Sequence, residues 1–160
     1  MGIQAGDQLP VVTLFIKQGG EVSSITSSDL FNNKKVVLFA LPGAFTPICS
    51  RAHLPGFVLK ADEILANGVD SIICLSVNDP HVMSEWGEVN HVEDKILMVS
   101  DGNGDFTRAV GLEVNRSDSG MGIRSQRYSM IVENGTVSQL NLEEAGKFEV
   151  SDAETLLNSL

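Results

Sequence analysis

Two apolar runs constrain the fold most: Val36-Val37-Leu38-Phe39-Ala40-Leu41, and the segment from Ser71 to Val77 built around Ile72-Ile73-Cys74-Leu75. Neither alternates strictly between polar and apolar residues, which is the pattern of strands covered on both faces. Between them, from about Ile48 to Asn67, residues Leu54, Phe57, Val58, Ala61, Ile64 and Leu65 recur at helical spacing, and Gly68 follows as a C-terminal cap. Strand, crossover helix and strand make a βαβ unit, right-handed and with its two strands parallel. Pro55-Gly56, early in the helical segment, predicts a kink there.

Further strands are expected at Val11 to Ile16, Ile96 to Val99, Tyr128 to Val132 and Thr136 to Leu140. Asn134-Gly135 separates the last two and suits a two-residue turn with both positions at positive φ, so they form an antiparallel hairpin. Shorter helices are expected at His81 to Val89, near Asp105 to Val110, and at Ala153 to Leu157 behind a Ser151-Asp152 cap. A βαβ unit followed by ββα is an α/β chain on the thioredoxin-like plan, with a mixed central sheet, an N-terminal extension and an inserted middle section. The 160 residues, 42% of them hydrophobic and 20% charged, suffice for one core, so a single domain over 1–160 is expected. Neither a repeat nor a low-complexity tract interrupts it.

A formal charge of −10 with no basic run argues against nucleic acid or an anionic membrane as partner. The segment from Met1 to Asp7 has no basic leader, and Val36 to Leu41 is too short to cross a bilayer, so a cytoplasmic, unanchored protein is expected. Position 6 is Gly where a myristoylation signal needs Ser or Thr, and Asn158-Ser159-Leu160 is no peroxisomal address. The two cysteines, Cys49 and Cys74, are too far apart for a Cys-x-x-Cys motif and too few for a zinc site.

The segment from Leu41 to Ser50 joins the first buried strand to the long helix and sets Cys49 in the first helical turn. Unpaired N–H groups and the helix dipole favour negative charge there, so a lowered thiol pKa is expected. Thr46 stands three residues earlier, where its hydroxyl can bond the thiolate or a bound oxygen. On these residues alone a second possibility stays open, in which Thr46 merely caps the helix and Cys49 packs inward as a small hydrophobe.

The run from Pro42 through Thr46 and Cys49 to His53-Leu54-Pro55-Gly56-Phe57 closely resembles the peroxiredoxin active-site segment, whose core is Pro-x-x-x-Thr-x-x-Cys. Its Gly-Ala-Phe and His-Leu-Pro-Gly-Phe portions are similar to the peroxiredoxin 5 subfamily. The resemblance continues through Cys74 to Asp79, Glu85-Trp86-Gly87, Ser100-Asp101-Gly102 and Arg124 to Met130. It implies a thioredoxin fold, peroxidase activity on hydrogen peroxide or alkyl hydroperoxides without metal or organic cofactor, and a homodimer. It further implies Cys49 as the peroxide-attacking cysteine, Thr46 as the orienting hydroxyl, Pro42 as the shielding ring and Arg127 as the active-site arginine. Arg124 is then a supporting or a surface residue.

Disulfide-forming members of that subfamily carry a resolving cysteine nearer the C-terminus, and this chain has none after Cys74. The resemblance therefore implies a 1-Cys cycle with an outside thiol, glutathione with glutaredoxin, or else thioredoxin. The alternative from another class is a redox-sensing adaptor, which does not need Pro42, Thr46 and Arg127 together. A thiol-disulfide oxidoreductase would need a second sulfur where Thr46 stands.

Other signals reduce on inspection. Cys74 sits in an apolar strand, where a thiolate is costly, and reads as structural. His53 lies one turn beyond Cys49, where it could tune the thiol, but a lone His is more often a packing or hydrogen-bonding residue; His81 and His91 read as surface helix positions. Asp101-Gly-Asn103-Gly-Asp105 begins like a calcium loop, but Phe106 and Leu112 occupy the positions that need Gly and Glu. Gly102-x-Gly104 lacks the third glycine of a dinucleotide site, with Thr107 in its place. Trp86 and Phe45 are read as core filling, or as lining an access route or dimer contact.

Overall fold

The computed structural model describes residues 2–160; Met1, which opens the N-terminal segment read above, lies outside them. In chain order the strands are β1 (Thr13–Gln18), β2 (Glu21–Thr26), β3 (Lys35–Ala40), β4 (Ser71–Ser76), β5 (Ile96–Ser100), β6 (Glu113–Arg116), β7 (Gly122–Ser125), β8 (Tyr128–Glu133) and β9 (Thr136–Leu142). The α-helices are α1 (Ser27–Phe31), α2 (Leu54–Ala66), α3 (Pro80–Val89), α4 (Asp105–Ala109) and α5 (Ala153–Asn158). Seven strands form a mixed sheet in the order β2-β1-β5-β4-β3-β8-β9, while β6 and β7 pair apart from it.

Alternation along the central strands decides how the layers stack. Val36, Leu38 and Ala40 of β3 enter one core, and Val37 and Phe39 enter the other; β4 divides likewise, Ile73 and Leu75 from Ile72 and Cys74. Leu54, Phe57, Ala61 and Ile64 of α2 cover one face, joined by Met83 and Trp86 of α3 and by Leu156 of α5. Leu30 and Phe31 of α1 and Phe106 of α4 cover the other. The strands β3 and β4 are parallel, and β8 runs antiparallel to β3 before turning into β9, so the thioredoxin-like order of the sequence is the order of the fold.

Four local features differ from expectation. The first strand starts at Thr13 and not at Val11, which is exposed: the Ser27 hydroxyl donates to Pro10 O (2.7 Å) and accepts from Val12 N (2.9 Å), drawing that stretch out of the ladder. β2 went unread because it is an edge strand whose first four residues are exposed, leaving no apolar alternation to see. The helix irregularity comes before Pro55-Gly56. Cys49–His53 is a π-helical turn closed by Leu54 N–H to Cys49 O, and Pro55 falls in the first turn of α2, where its missing N–H is tolerated. His91 lies in the turn after α3 and not on the helix.

The hairpin turn has φ 49° at Asn134 and 77° at Gly135, and the Asn134 side chain accepts from Asn33 N at 2.8 Å. A Cβ at Gly135 would sit in the left-handed region and 3.3 Å from Asn32 Oδ1. Gly135→Ala is therefore expected to lower stability by about 1–2 kcal/mol, read as a lower urea midpoint at unchanged slope; an unmoved midpoint contradicts it.

Candidate active site

The loop after β3 is braced from β4 and β7. Ser76 Oγ donates to Leu41 O at 3.2 Å, and Asn78 Oδ1 accepts from Ala44 N at 2.9 Å. Arg124 donates from Nη1 to Pro42 O at 3.1 Å and from Nε to Met121 O at 2.9 Å, so it is a supporting residue of this loop. A Cβ on Gly43 would meet Arg124 Nη1 at 2.8 Å, so a larger residue there would push on the guanidinium that holds Pro42 O. Phe45 turns the loop at φ 64°, a conformation costly for a side chain other than glycine and one that clusters at functional sites.

Cys49 follows in the first helical turn, fully buried, and its Sγ accepts from Arg127 Nη2 at 3.1 Å. Arg127 Nη1 faces His53 Nδ1 at 3.0 Å, and His53 Nε2 faces Ser151 O at 3.0 Å. A guanidinium only donates and a carbonyl only accepts, so Nδ1 is the bare nitrogen and Nε2 carries the proton. Burial, then the Arg127 charge, lowers the His53 pKa from 6.5 to about 3. The imidazole is thus a neutral acceptor that fixes Arg127 without cancelling its charge. The Phe148 ring lies 5.8 Å from the guanidinium carbon, a cation–π contact.

Pro42, Thr46 and Arg127 together line a cavity of about 360 Å³, with Ile48, Val114 and Met121 giving it apolar wall and Arg116 and Lys147 giving it cations. The Thr46 hydroxyl donates to Gly43 O at 2.6 Å and not to the sulfur. Its remaining capacity is as an acceptor, which fits the second of the two roles read from the sequence, a bond to a bound oxygen.

Cys74 shares the core of Cys49, and burial, then the neighbouring Cys49, pushes its thiol well above the usual range, as suits a structural cysteine. Trp86 is core, donating Nε1–H to Ser50 Oγ at 3.0 Å, while Phe45 is 53% exposed beside it. Among the described residues, no group of three or more His, Cys, Asp or Glu could hold a metal ion, and no helix is long and apolar enough to cross a membrane. His53 was undervalued from sequence: its spacing from Cys49 was visible, but the Ser151 carbonyl that fixes its tautomer was not.

A thiol buried against a guanidinium at the first turn of a helix, on a thioredoxin-like sheet, defines a thiol-based redox protein. The Redoxin family matches residues 4–157. Peroxiredoxin-2E-2, chloroplastic, of Oryza sativa subsp. japonica is 49% identical, covering 99% of this chain and 72% of its own. Reduced Prx3 of Vibrio vulnificus in complex with hydrogen peroxide superposes with a TM-score of 0.94 at 50% identity, covering 98% of each chain. The 1-Cys peroxiredoxin of Plasmodium falciparum superposes with a TM-score of 0.90 at 32% identity, covering 96% of each. The chain belongs to the peroxiredoxins, of the peroxiredoxin 5 type, and is a thiol-dependent peroxidase.

The neutral imidazole has a measurable consequence. In the unfolded chain His53 takes up a proton near pH 6.5, and in the fold only near 3. Between those values the unfolded state binds the extra proton, so stability falls as pH drops through that window, by up to about 1.4 kcal/mol per pH unit. The His53 ring signals in NMR are expected to show no inflection between pH 5 and 8; an inflection near 6.5 would contradict the assigned state.

Proposed function

We propose that the Cys49 thiolate attacks the terminal oxygen of hydrogen peroxide or an alkyl hydroperoxide. An S–O bond forms as the O–O bond breaks, sulfur is oxidised to the sulfenic acid, and the second oxygen leaves with a proton as water or alcohol. The observation that carries this is the 3.1 Å contact from Arg127 Nη2 to Cys49 Sγ: a fixed positive charge stands where the sulfur is anionic and where charge develops on the departing oxygen. Thr46, its own proton given to Gly43, is oriented to accept the O–H of the peroxide. Pro42 lines the same cavity as Thr46 and Arg127, and its ring is assigned the shielding of the sulfenic acid. Rate enhancement then comes from positioning and fixed dipoles.

Regeneration is a 1-Cys cycle: an outside thiol condenses with the sulfenic acid, releasing water and leaving a mixed disulfide, and a second thiol restores Cys49 by exchange. Glutathione with glutaredoxin is the proposed reductant, with thioredoxin the alternative. Support comes from the lack of any cysteine after Cys74 within these 160 residues and from the burial of Cys74; at the cavity Lys147 is paired with Glu144 at 3.0 Å, which leaves Arg116, besides Arg127, as the cation there without an ion-pair partner among the described residues. A homodimer in a reducing compartment, the cytoplasm, completes the proposal; Phe45 and Ile48, 53% and 40% exposed beside the cavity, offer an apolar contact.

Steady-state peroxide consumption, with glutathione plus glutaredoxin or thioredoxin plus its reductase supplied separately, tests the proposal. Cys49→Ser is expected to be inactive with both and Cys74→Ser to keep wild-type turnover. Loss of turnover in Cys74→Ser, with Cys49 oxidation intact, would overturn the 1-Cys cycle, and consumption by the reduced wild type no faster than by free cysteine would overturn the peroxidase chemistry.

A further inference from the structure

Between β9 and α5 the chain runs from Glu143 to Asp152 outside any named strand, yet Ser151 is fully buried and the segment touches both Arg127 and its neighbour His53. Ser151 offers its carbonyl to His53 Nε2, and Phe148 lays its ring beside the Arg127 guanidinium and 5.0 Å from the His53 ring. Backbone donors in such a stretch need partners if it is to hold one shape. The Glu143 carboxylate supplies them. It accepts from Glu149 N (2.9 and 3.0 Å to its two oxygens), Val150 N (2.9 Å), Ser151 N (2.8 Å) and Ser151 Oγ (2.7 Å).

The residue's backbone holds the other end of the same arrangement: Glu143 N donates to Arg127 O at 3.0 Å, prolonging the pairing of β8 with β9. One residue therefore grips the main chain of Arg127 and, through its carboxylate, the segment that fixes the arginine's neighbour. Burial alone would push the carboxyl up, but the hydrogen bonds from Ser151, Glu149 and Val150 outweigh it and hold Glu143 below the usual carboxylate range, so it stays an acceptor at neutral pH.

We propose that Glu143 is a positioning residue for peroxide reduction, acting through the segment 148–151 and His53 to hold Arg127 Nη2 on Cys49. The proposal rests on the reading of Cys49 and Arg127 given above. A looser segment frees the Ser151 carbonyl, the imidazole then loses its fixed tautomer, and the guanidinium has no single orientation toward the sulfur. The sulfur, four contacts away along this route, is affected without Glu143 touching it.

The test is the second-order rate constant for oxidation of reduced Cys49 by hydrogen peroxide in a single turnover, followed by alkylation of the remaining thiol and mass spectrometry. It is run well below the melting temperature, with the fold of each variant confirmed by circular dichroism. Glu143→Gln, which replaces an all-acceptor carboxylate by an amide, is expected to slow the reaction about tenfold, and Ser151→Ala about threefold. In a His53→Ala background, itself slowed, neither substitution is expected to slow it by more than about twofold further, because all three act on one contact. The ring ¹⁵N signals of His53, with the proton on Nε2 in the wild type, should show mixed tautomers in Glu143→Gln, a change that mere loss of stability does not produce. Where Glu143→Gln does not fold, the Ser151→Ala cycle decides. Wild-type rates in the single variants, or losses that multiply in the doubles, overturn the proposal. Cys49→Ser is run alongside: peroxide consumption there fails the reading of the reacting thiol, whereas an inert Cys49→Ser with an unslowed Glu143→Gln fails only the positioning role.

Discussion

The antiparallel register of β8 on β3 governs the site. Ala40 lies opposite Tyr128, so one step further the register sets Arg127 across from Leu41. Leu41 belongs to the same core as Phe39, Phe57 and Cys49, and Tyr128 belongs to the core on the other face. A slip of one residue would exchange the two faces and send the guanidinium to the wrong side of the sheet. With β3 apolar on both faces, the register is held at its far end by the turn, where Asn134 N donates to Lys34 O at 2.9 Å and Asn33 N donates to Asn134 Oδ1 at 2.8 Å, so the hairpin also helps place the charge.

Charge placement alone is not enough, because even a half-buried arginine is costly to desolvate and is commonly held by an acid. Here the partner is a neutral imidazole, flanked by the rings of Phe39, Phe57 and Phe148. Among the described residues no carboxylate stands within salt-bridge distance of Arg127. The guanidinium charge is left facing the sulfur, and in the proposed reaction it also serves an incoming peroxide. Negative charge is instead kept one step back, on Glu143, where it is spent on backbone donors of the adjoining segment.

Much of this was legible in the residues. The βαβ unit, the Asn134-Gly135 turn and the helix after Cys49 rest on local periodicity and turn chemistry, and each stands where the sequence placed it. β2 and β7 were missed because their largely exposed side chains show no apolar alternation, and β6 because its half-buried positions are Val114 and the polar Arg116. At the site, Cys49, Thr46, Pro42 and Arg127 were readable through the family motif. The tautomer of His53 and the grip of Glu143 on residues 149–151 depend on contacts made by the fold, between residues up to about a hundred positions apart, on which spacing is silent; the Thr46 hydroxyl goes to Gly43 O only three residues away, a choice of partner that the motif leaves open.

The central claim is that the Arg127 charge serves the sulfur of Cys49. Its most direct test is the rate constant for hydrogen peroxide oxidation of Cys49 in Arg127→Gln, which keeps hydrogen-bond donors and removes the charge. The account predicts a fall of about a hundredfold or more, the scale of losing one fixed charge-stabilising donor. A rate within about threefold of the wild type, in a variant with the fold intact, would contradict it.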